Sequence, residues 1–234
     1  MSRPAAIPVL LNWGANGFGG WGIVGLNLFY HWAHDPNLVP LLGAQLTEAD
    51  VAGTDPLRIF AMRDAIMRSN AWQNDLRRGL QFGGRFDFPV IEGLGNGLFR
   101  PGFARGSRTI GRCIFEDTNL QELDVKLANF DVLVCASRWN AELLQANCRK
   151  PVRIVYEGVD PSLFHPTPKS GLLDPSRFYV FSGGKVEFRK GHDLTVIAFR
   201  EFALRHDDAV LVTLWHSPWP HLSAGFTGRL ESPL

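Results

Sequence analysis

The sequence predicts an α/β protein that is built on a doubly wound parallel sheet. Short apolar runs of strand length alternate at least five times with segments whose apolar residues recur at helical spacing. The first strand–helix–strand unit is predicted at the start of the chain. There, an apolar run at residues 7–11 is followed by a helix pattern at 21–33 and a second apolar run at 38–42. Glycine-rich turns follow several of the predicted strands. These patterns favour parallel strands that are joined by right-handed crossovers.

A long helix is the next element of the first domain. Asp55 precedes Pro56, and proline is favoured at the first helical position, so a helix is predicted over residues 57–78. Gly79 is then predicted to be its C-terminal cap. The remaining strands of this domain are predicted at residues 86–91, 109–115, 131–136 and 152–156.

Two further helix starts are indicated by side chains that can cap free N–H groups. Thr118 and Gln121 have the spacing of a capping box, which predicts a helix directly after Glu116. Ser137 is predicted to cap a helix over residues 138–147.

The chain is predicted to contain two domains. Residues 1–157 form the first, Rossmann-like domain, and a stretch rich in proline and without periodicity follows it. Residues 158–234 are predicted to comprise this linker and the first part of a second Rossmann-like domain. Its elements are predicted to be a strand at 178–181, a glycine turn at 182–184, a helix at 192–205 and a strand at 209–215. We expect this second domain to be incomplete, since whole domains usually have about 100–150 residues.

A basic segment follows the glycines of the second domain. Glycine lets the backbone approach a ligand, and a helix N-terminus offers unpaired N–H groups to an anion. Cationic side chains there could neutralise a diphosphate. The candidate diphosphate-binding residues are therefore Gly184, Lys185, Arg189, Lys190 and Gly191. A basic turn that is only solvated would explain the same residues equally well.

Two motifs resemble those of GT-B glycosyltransferases of family 4, also called glycosyl transferases group 1. Residues 184–191, Gly-Lys-Val-Glu-Phe-Arg-Lys-Gly, are similar to the family's G-R-L-x-x-x-K-G segment. Residues 156–160 and 164–166 resemble its P-x-G-V-D…F-x-P linker, in the right order and at the right separation. By this resemblance, Lys185 and Lys190 hold the pyrophosphate of the donor. Lys185 departs from the family pattern, because an ammonium lacks the planar fork of a guanidinium.

The resemblance implies a GT-B-like fold and a hexosyltransferase-like enzyme. Such an enzyme transfers a sugar, with retention, from a UDP-, GDP- or ADP-sugar to a glycan, lipid or small-molecule acceptor. Neither a tightly bound cofactor nor a metal is expected, because the cationic side chains would stabilise the leaving diphosphate.

Two shorter segments extend the resemblance across the first domain. Residues 115–120, Phe-Glu-Asp-Thr-Asn-Leu, are similar to the family's F-E-x-T-x-L segment, and Ser137 begins a match to its S-x-W. The resemblance makes Glu116 the candidate catalytic residue, as a polar contact on the acceptor side. Glu92 is expected to be an exposed loop carboxylate. No histidine is assigned a catalytic role, and His192 is expected either to assist a phosphate or to cap the helix start towards solvent.

The glycine-rich loop after the first strand has two interpretations. Gly17, Gly19 and Gly22 satisfy G-x-G-x-x-G. A dinucleotide site also needs a carboxylate at the end of the second strand, but the first one after that strand is Glu48, so NAD and FAD are disfavoured. By the resemblance, Gly17, Gly19 and Gly20 face the interdomain cleft. The alternative is a tight turn that lets helix and strand pack closely.

Composition excludes several other classes. A formal charge of +1 favours neither nucleic acid nor an anionic membrane as a partner. Three cysteines without C-x-x-C spacing indicate neither a disulfide framework nor a zinc site. No apolar run approaches the ~18 residues of a membrane span. We therefore expect a cytoplasmic protein without a membrane span, and peripheral membrane association stays open.

The C-terminal segment leaves the activity of this chain an open question. The family's E-x-x-x-x-x-x-x-E segment, whose glutamates contact the sugar and ribose of the donor, has no counterpart, so a truncated enzyme is expected. Two other functions remain as alternatives. One is a non-catalytic nucleotide- or glycan-binding protein, and the other, less favoured, is a Rossmann-type NAD(P)-dependent oxidoreductase.

Overall fold

The structure, a computed structural model, describes residues 5–81, 84–98 and 104–216. The chain divides into two compact units, Met1–Val159 and Asp160–Leu234, which we call unit 1 and unit 2. The division falls two residues after the predicted boundary at residue 157.

Unit 1 contains, in its described residues, one sheet of six strands that pair in parallel throughout. The strands are β1 (Ile7–Asn12), β2 (Leu38–Leu42), β3 (Val90–Leu94), β4 (Thr109–Cys113), β5 (Val132–Cys135) and β6 (Val152–Ile154). Their order across the sheet is β2-β1-β3-β4-β5-β6. The prediction of an α/β protein with a parallel, Rossmann-like sheet is thereby confirmed.

Helices connect these strands and cover both faces of the sheet. They are α1 (Gly20–Ala33), α2 (Pro56–Ala71), α3 (Gln73–Gln81), α4 (Leu123–Lys126) and α5 (Arg138–Asn147). Leu10 and Leu11 are adjacent in β1, and both are fully buried because successive strand residues point to opposite faces. Leu11 packs with Phe29 of α1 and Met62 of α2. Leu10 packs with Leu76 of α3 on the other side.

The single long helix predicted before Gly79 is interrupted at Trp72, and α3 continues past the predicted cap. Ser69 Oγ accepts a hydrogen bond from Leu42 N at 3.0 Å, and Gln73 Nε2 donates to Leu42 O at 2.8 Å. Residues on both sides of the break thus bind the end of β2, which no local sequence signal indicates.

Strand β3 begins at Val90 and not at residue 86, as we predicted. The residues before it are held differently, because Phe86 N donates to Arg105 O at 2.7 Å. Pro89 has no N–H to give to a strand ladder. The strand is therefore displaced towards the C-terminus and takes Glu92 into the sheet.

Of the two predicted helix starts, one is confirmed and one is wrong. Ser137 Oγ accepts a hydrogen bond from Asn140 N at 3.1 Å, as expected of a capping serine. The capping box of Thr118 and Gln121 does not form. Helix α4 starts later, after Glu122, whose φ of 57° is left-handed and whose side chain caps nothing.

Unit 2 is a single βαβ unit in its described residues. It comprises β7 (Phe178–Lys185), α6 (His192–Ala203) and β8 (Ala209–His216), and the two strands are parallel. The predicted break at residues 182–184 is wrong, because β7 pairs with β8 through these residues as far as Lys185. Among the described residues of unit 2, only His192 is buried.

Candidate functional site

The strand order of unit 1 reverses beside β1. This strand lies between β2 and β3, since the chain passes from β1 to β2 on one side and then to β3 on the other. Open α/β sheets bind ligands outside the carboxyl ends of their strands at such a switch point. Asn12 ends β1 and lies opposite Glu92 of β3. The candidate site of unit 1 is therefore centred on these two strand ends.

Glu92 is buried, so the prediction of an exposed loop carboxylate is wrong. Only 1% of the Glu92 residue is exposed to solvent. Its Oε1 accepts hydrogen bonds from Asn12 Nδ2 at 2.8 Å and from Ala104 N at 2.7 Å. These bonds join β1 and β3 to the segment that precedes β4. Glu92 thus stabilises the strand ends on which the candidate site is centred.

The glycine-rich loop after β1 is tied to neighbouring loops of the same unit. Gly17 N donates to Asp50 O at 2.7 Å, and a Cβ at residue 17 would lie 2.8 Å from Thr54 Oγ1. Gly19 N donates to Asn16 Oδ1 at 2.8 Å. Gly17 therefore packs closely against other loops of unit 1, which favours the tight-turn interpretation at this position.

The next glycines of the loop differ in their surroundings. A Cβ at Gly22 would collide with the side chain of Asn16, so this glycine also serves close packing. Gly20 begins α1, and a Cβ there would meet nothing within 4 Å. The cleft-facing role of Gly17, Gly19 and Gly20 stays a prediction.

A pair of tryptophans that the sequence analysis did not single out lies beside this loop. Trp13 Nε1 donates to Trp21 O at 3.0 Å, and the two rings meet edge to face with centroids 5.8 Å apart. A Cβ at Gly93 of β3 would lie 3.2 Å from the Trp21 ring. The available sequence signal was Gly93 itself, because a glycine inside a strand often marks a close approach.

Glu116 is exposed just beyond β4, at the same edge of the sheet. Its N–H donates to Asn96 Oδ1 at 2.9 Å. The carbonyl of the preceding residue, Phe115, accepts from Asn140 Nδ2 of α5 at 2.8 Å. The loops after β3 and β4 and the start of α5 therefore meet at Glu116. Since α4 begins only at Leu123, Glu116 precedes an irregular turn and not a helix N-terminus.

An ion pair between a buried arginine and an exposed glutamate holds the segment that follows β6. Arg112 of β4 is 7% exposed, and its Nη2 lies 2.8 Å from Glu157 Oε1. Its Nε is buried without a hydrogen-bond partner among the described residues. Glu157 belongs to the segment at residues 156–160 that resembles the family linker. No sequence signal indicates that Arg112 is its partner.

In unit 2, the basic turn (residues 185–191) places a carboxylate between two cations. Lys185 Nζ lies 2.8 Å from Glu187 Oε1, and Arg189 Nε lies 2.9 Å from Glu187 Oε2. The hydrogen bond from Lys185 and the positive charges of both partners hold the pKa of Glu187 below its usual value. Both cations are among the predicted diphosphate-binding residues, whereas no role was predicted for the glutamate between them.

Lys190 and Gly191 complete the basic turn. Phe188–Lys190 forms a single 3-10 turn, and Gly191 then adopts a left-handed conformation with φ 63° directly before α6. Lys190 is exposed, and no ion pair joins it to another of the described residues. Asp193 adds a negative charge in the first turn of α6, where its Oδ1 accepts from Leu194 N at 3.0 Å.

His192 anchors α6 to its sheet and does not cap the helix towards solvent. It is 2% exposed, and its ring meets the Trp215 ring edge to face with centroids 4.6 Å apart. Trp215 Nε1 in turn donates to Ser182 Oγ at 3.1 Å. The expectation that His192 is a solvent-facing cap is therefore wrong.

Metal-binding and membrane-spanning features are absent from the part of the chain that the structure describes. Within it, no three His, Cys, Asp or Glu side chains are grouped so that they could hold a metal ion. No helix in this part combines the length and the apolar character needed to cross a membrane.

Models of known protein families do not match the chain, and curated proteins include no significant match to it.

Proposed function

We propose that the chain is a GT-B-type glycosyltransferase that takes its sugar from a nucleotide-sugar donor. The observation that carries this proposal is the cluster of cations in the basic turn, Lys185, Arg189 and Lys190. They lie between the carboxyl end of β7 and the N-terminus of α6. Both the charges and the helix end suit the diphosphate of a UDP-, GDP- or ADP-sugar.

The cations of the basic turn would act on the leaving group. When the bond between the sugar and the diphosphate breaks, the electron pair stays with the diphosphate, and its negative charge grows. Cations that are fixed beside the developing charge lower the barrier. The side chains of Lys185 and Arg189 are 42% and 49% exposed, so a ligand can reach them from solvent.

The acceptor is proposed to bind at the switch point of unit 1. Glu116 is exposed at this edge, and its backbone is held by Asn96, so its carboxylate can make a polar contact with an acceptor hydroxyl. The buried Glu92 supports the strands beneath. A glycan, a lipid headgroup or a small molecule with hydroxyl groups would fit this chemistry.

Nucleotide binding is the first test. Binding of UDP, GDP and ADP to the chain is measured by isothermal titration calorimetry, because unit 2 buries little and a change in Tm need not report a ligand that binds there. We expect one of the nucleotides to bind, and Lys190→Ala to lose most of that affinity. Lys169→Ala is the matched control, since Lys169 is also exposed but lies outside the basic turn. Absence of binding by all three nucleotides would contradict the proposal.

Turnover is the second test. Release of free nucleoside diphosphate from UDP-, GDP- and ADP-sugars is followed with and without simple sugar acceptors. We expect Glu116→Gln to lower the turnover rate while leaving the nucleotide affinity unchanged. Binding without any turnover would favour the non-catalytic nucleotide-binding alternative.

A further inference from the structure

Glu187 occupies the position between cations that an anionic ligand of the basic turn would need. Each of its two carboxylate oxygens meets a different cation, Oε1 with Lys185 at 2.8 Å and Oε2 with Arg189 at 2.9 Å. Two oxygens of a phosphate group can make the same pair of contacts, since carboxylate and phosphate each offer two acceptor oxygens on one central atom.

The exposure of the three side chains makes exchange with a ligand feasible. The Glu187 side chain is only 12% exposed, whereas those of Lys185 and Arg189 are 42% and 49% exposed. The cations therefore cover the carboxylate but remain open to solvent on their other sides. An anion can approach both cations while Glu187 still holds them.

The backbone of Glu187 is fixed independently of its carboxylate. Its carbonyl accepts a hydrogen bond from Lys190 N at 2.9 Å, and Gly191 N donates to Phe188 O at 3.1 Å. These bonds form the 3-10 turn at Phe188–Lys190. Removing the charge of Glu187 should therefore leave the path of the basic turn intact.

We propose that Glu187 is an internal anion that competes with the diphosphate for Lys185 and Arg189. In the free protein it keeps the two cations paired and in place, and on binding it gives up at least one of them to the ligand. Glu187 then sets the affinity of the site, and it weakens the retention of the nucleoside diphosphate product. This inference rests on the function proposed above.

The test compares the affinity of inorganic pyrophosphate and of UDP, GDP and ADP for the full chain and for Glu187→Gln. Giving up one or both of these ion pairs should cost the wild type about three- to tenfold in affinity, so Glu187→Gln should bind that much more tightly. Glu201→Gln is the matched control, because Glu201 is an exposed glutamate of α6 outside the basic turn. Its affinity should equal that of the wild type.

Two further variants identify the cause of the gain. Glu187→Asp keeps the charge on a shorter side chain that cannot reach both cations, so its affinity should lie between those of the wild type and Glu187→Gln. Adding Lys185→Ala to Glu187→Gln should abolish most of the gain, since the released cation is then missing. Glu187→Asp also provides the comparison if Glu187→Gln fails to fold.

The outcomes separate this inference from the proposed function. If the wild type binds and Glu187→Gln binds equally or more weakly, Glu187 is not a competing anion, while the diphosphate site stands. If neither protein binds pyrophosphate or any of the nucleotides, both the inference and the proposed function are overturned.

Discussion

At the scale of single residues, Glu92 links the strand ends that lie beneath the candidate site of unit 1. Its Oε1 satisfies Asn12 Nδ2 and the Ala104 N–H, and both bonds are buried or nearly so. Removing this acceptor leaves buried donors unsatisfied, which is costly. We predict that Glu92→Ala lowers the free energy of unfolding by about 2–4 kcal/mol.

Urea unfolding of Glu92→Ala, Glu92→Gln and Glu48→Ala checks this prediction. The glutamine variant should lose less stability than the alanine variant, because its carbonyl oxygen can accept both hydrogen bonds. Glu48 is exposed, so its alanine variant should unfold like the wild type. Equal stability of Glu92→Ala and Glu48→Ala would show that the two bonds contribute nothing.

A second residue-scale prediction concerns Gly106, before β4. A Cβ at this position would lie 2.5–2.7 Å from three backbone atoms, Phe88 O, Arg108 O and Val90 N. Backbone cannot swing aside as a flexible side chain can, so Gly106→Ala must displace the start of β3 or β4. We predict a loss of about 1–3 kcal/mol in the free energy of unfolding.

Gly95→Ala is the control for Gly106→Ala, because a Cβ at Gly95 meets nothing within 4 Å. Both variants remove one glycine and add one methyl group, so their unfolded states change alike. A midpoint of urea unfolding that falls equally in both would mean that the close contacts at Gly106 relax without cost.

At the scale of elements, sequence patterns predicted best where a helix or strand is defined by its own residues. The helix of α5 has the predicted bounds, since Ser137 caps it and its apolar residues recur at helical spacing. The strand β2 also has the predicted bounds. In both cases, the local pattern and the tertiary packing select the same residues.

The patterns failed where distant residues decide the bounds of an element. Strand β3 starts at Val90 and not at the predicted residue 86, because Phe86 is bound instead to Arg105, which is far from it in sequence. The same holds for the candidate sites. The cations of the basic turn could be identified from their motif, but the burial of Glu92 depends on Ala104 and that of Arg112 on its place in the sheet.

A prediction at this scale concerns the cysteines of the adjacent strands β4 and β5. Cys113 and Cys135 lie opposite each other in the parallel pair, and both are fully buried. The hydrogen bond with the Cys135 thiol and burial raise the pKa of Cys113 well above its ordinary value, whereas the same hydrogen bond lowers the pKa of Cys135, which is protected by its burial. A thiol must ionise and be reached by solvent to react. Native protein should therefore show fast labelling by a maleimide at Cys148 alone, which is half-buried.

Labelling is counted by mass spectrometry before and after unfolding in urea. We expect one thiol to react quickly in the native chain and all three cysteines to react once it is unfolded. Cys148→Ser should lack the fast reaction. Rapid modification of Cys113 or Cys135 at neutral pH would show that the strands β4 and β5 separate readily.

At the scale of the whole molecule, the buried core is unevenly divided. All three apolar clusters of the described residues lie in unit 1, and they include side chains from each of its strands β1 to β6. In unit 2, among the described residues, only His192 is buried, and the sheet has two strands. A two-stranded sheet is marginally stable at best, and stability grows with the apolar area removed from water.

We therefore predict that residues 1–159 fold when they are expressed alone. Circular dichroism in increasing urea should show one cooperative transition, with a midpoint close to that of the main transition of the full chain. Its slope should also be close, because the slope scales with the surface exposed on unfolding. Residues 160–234 alone should show no cooperative transition. A cooperative transition of this second fragment, or a loss of cooperativity in the first, would mean that the distribution of buried side chains does not determine where the stability lies.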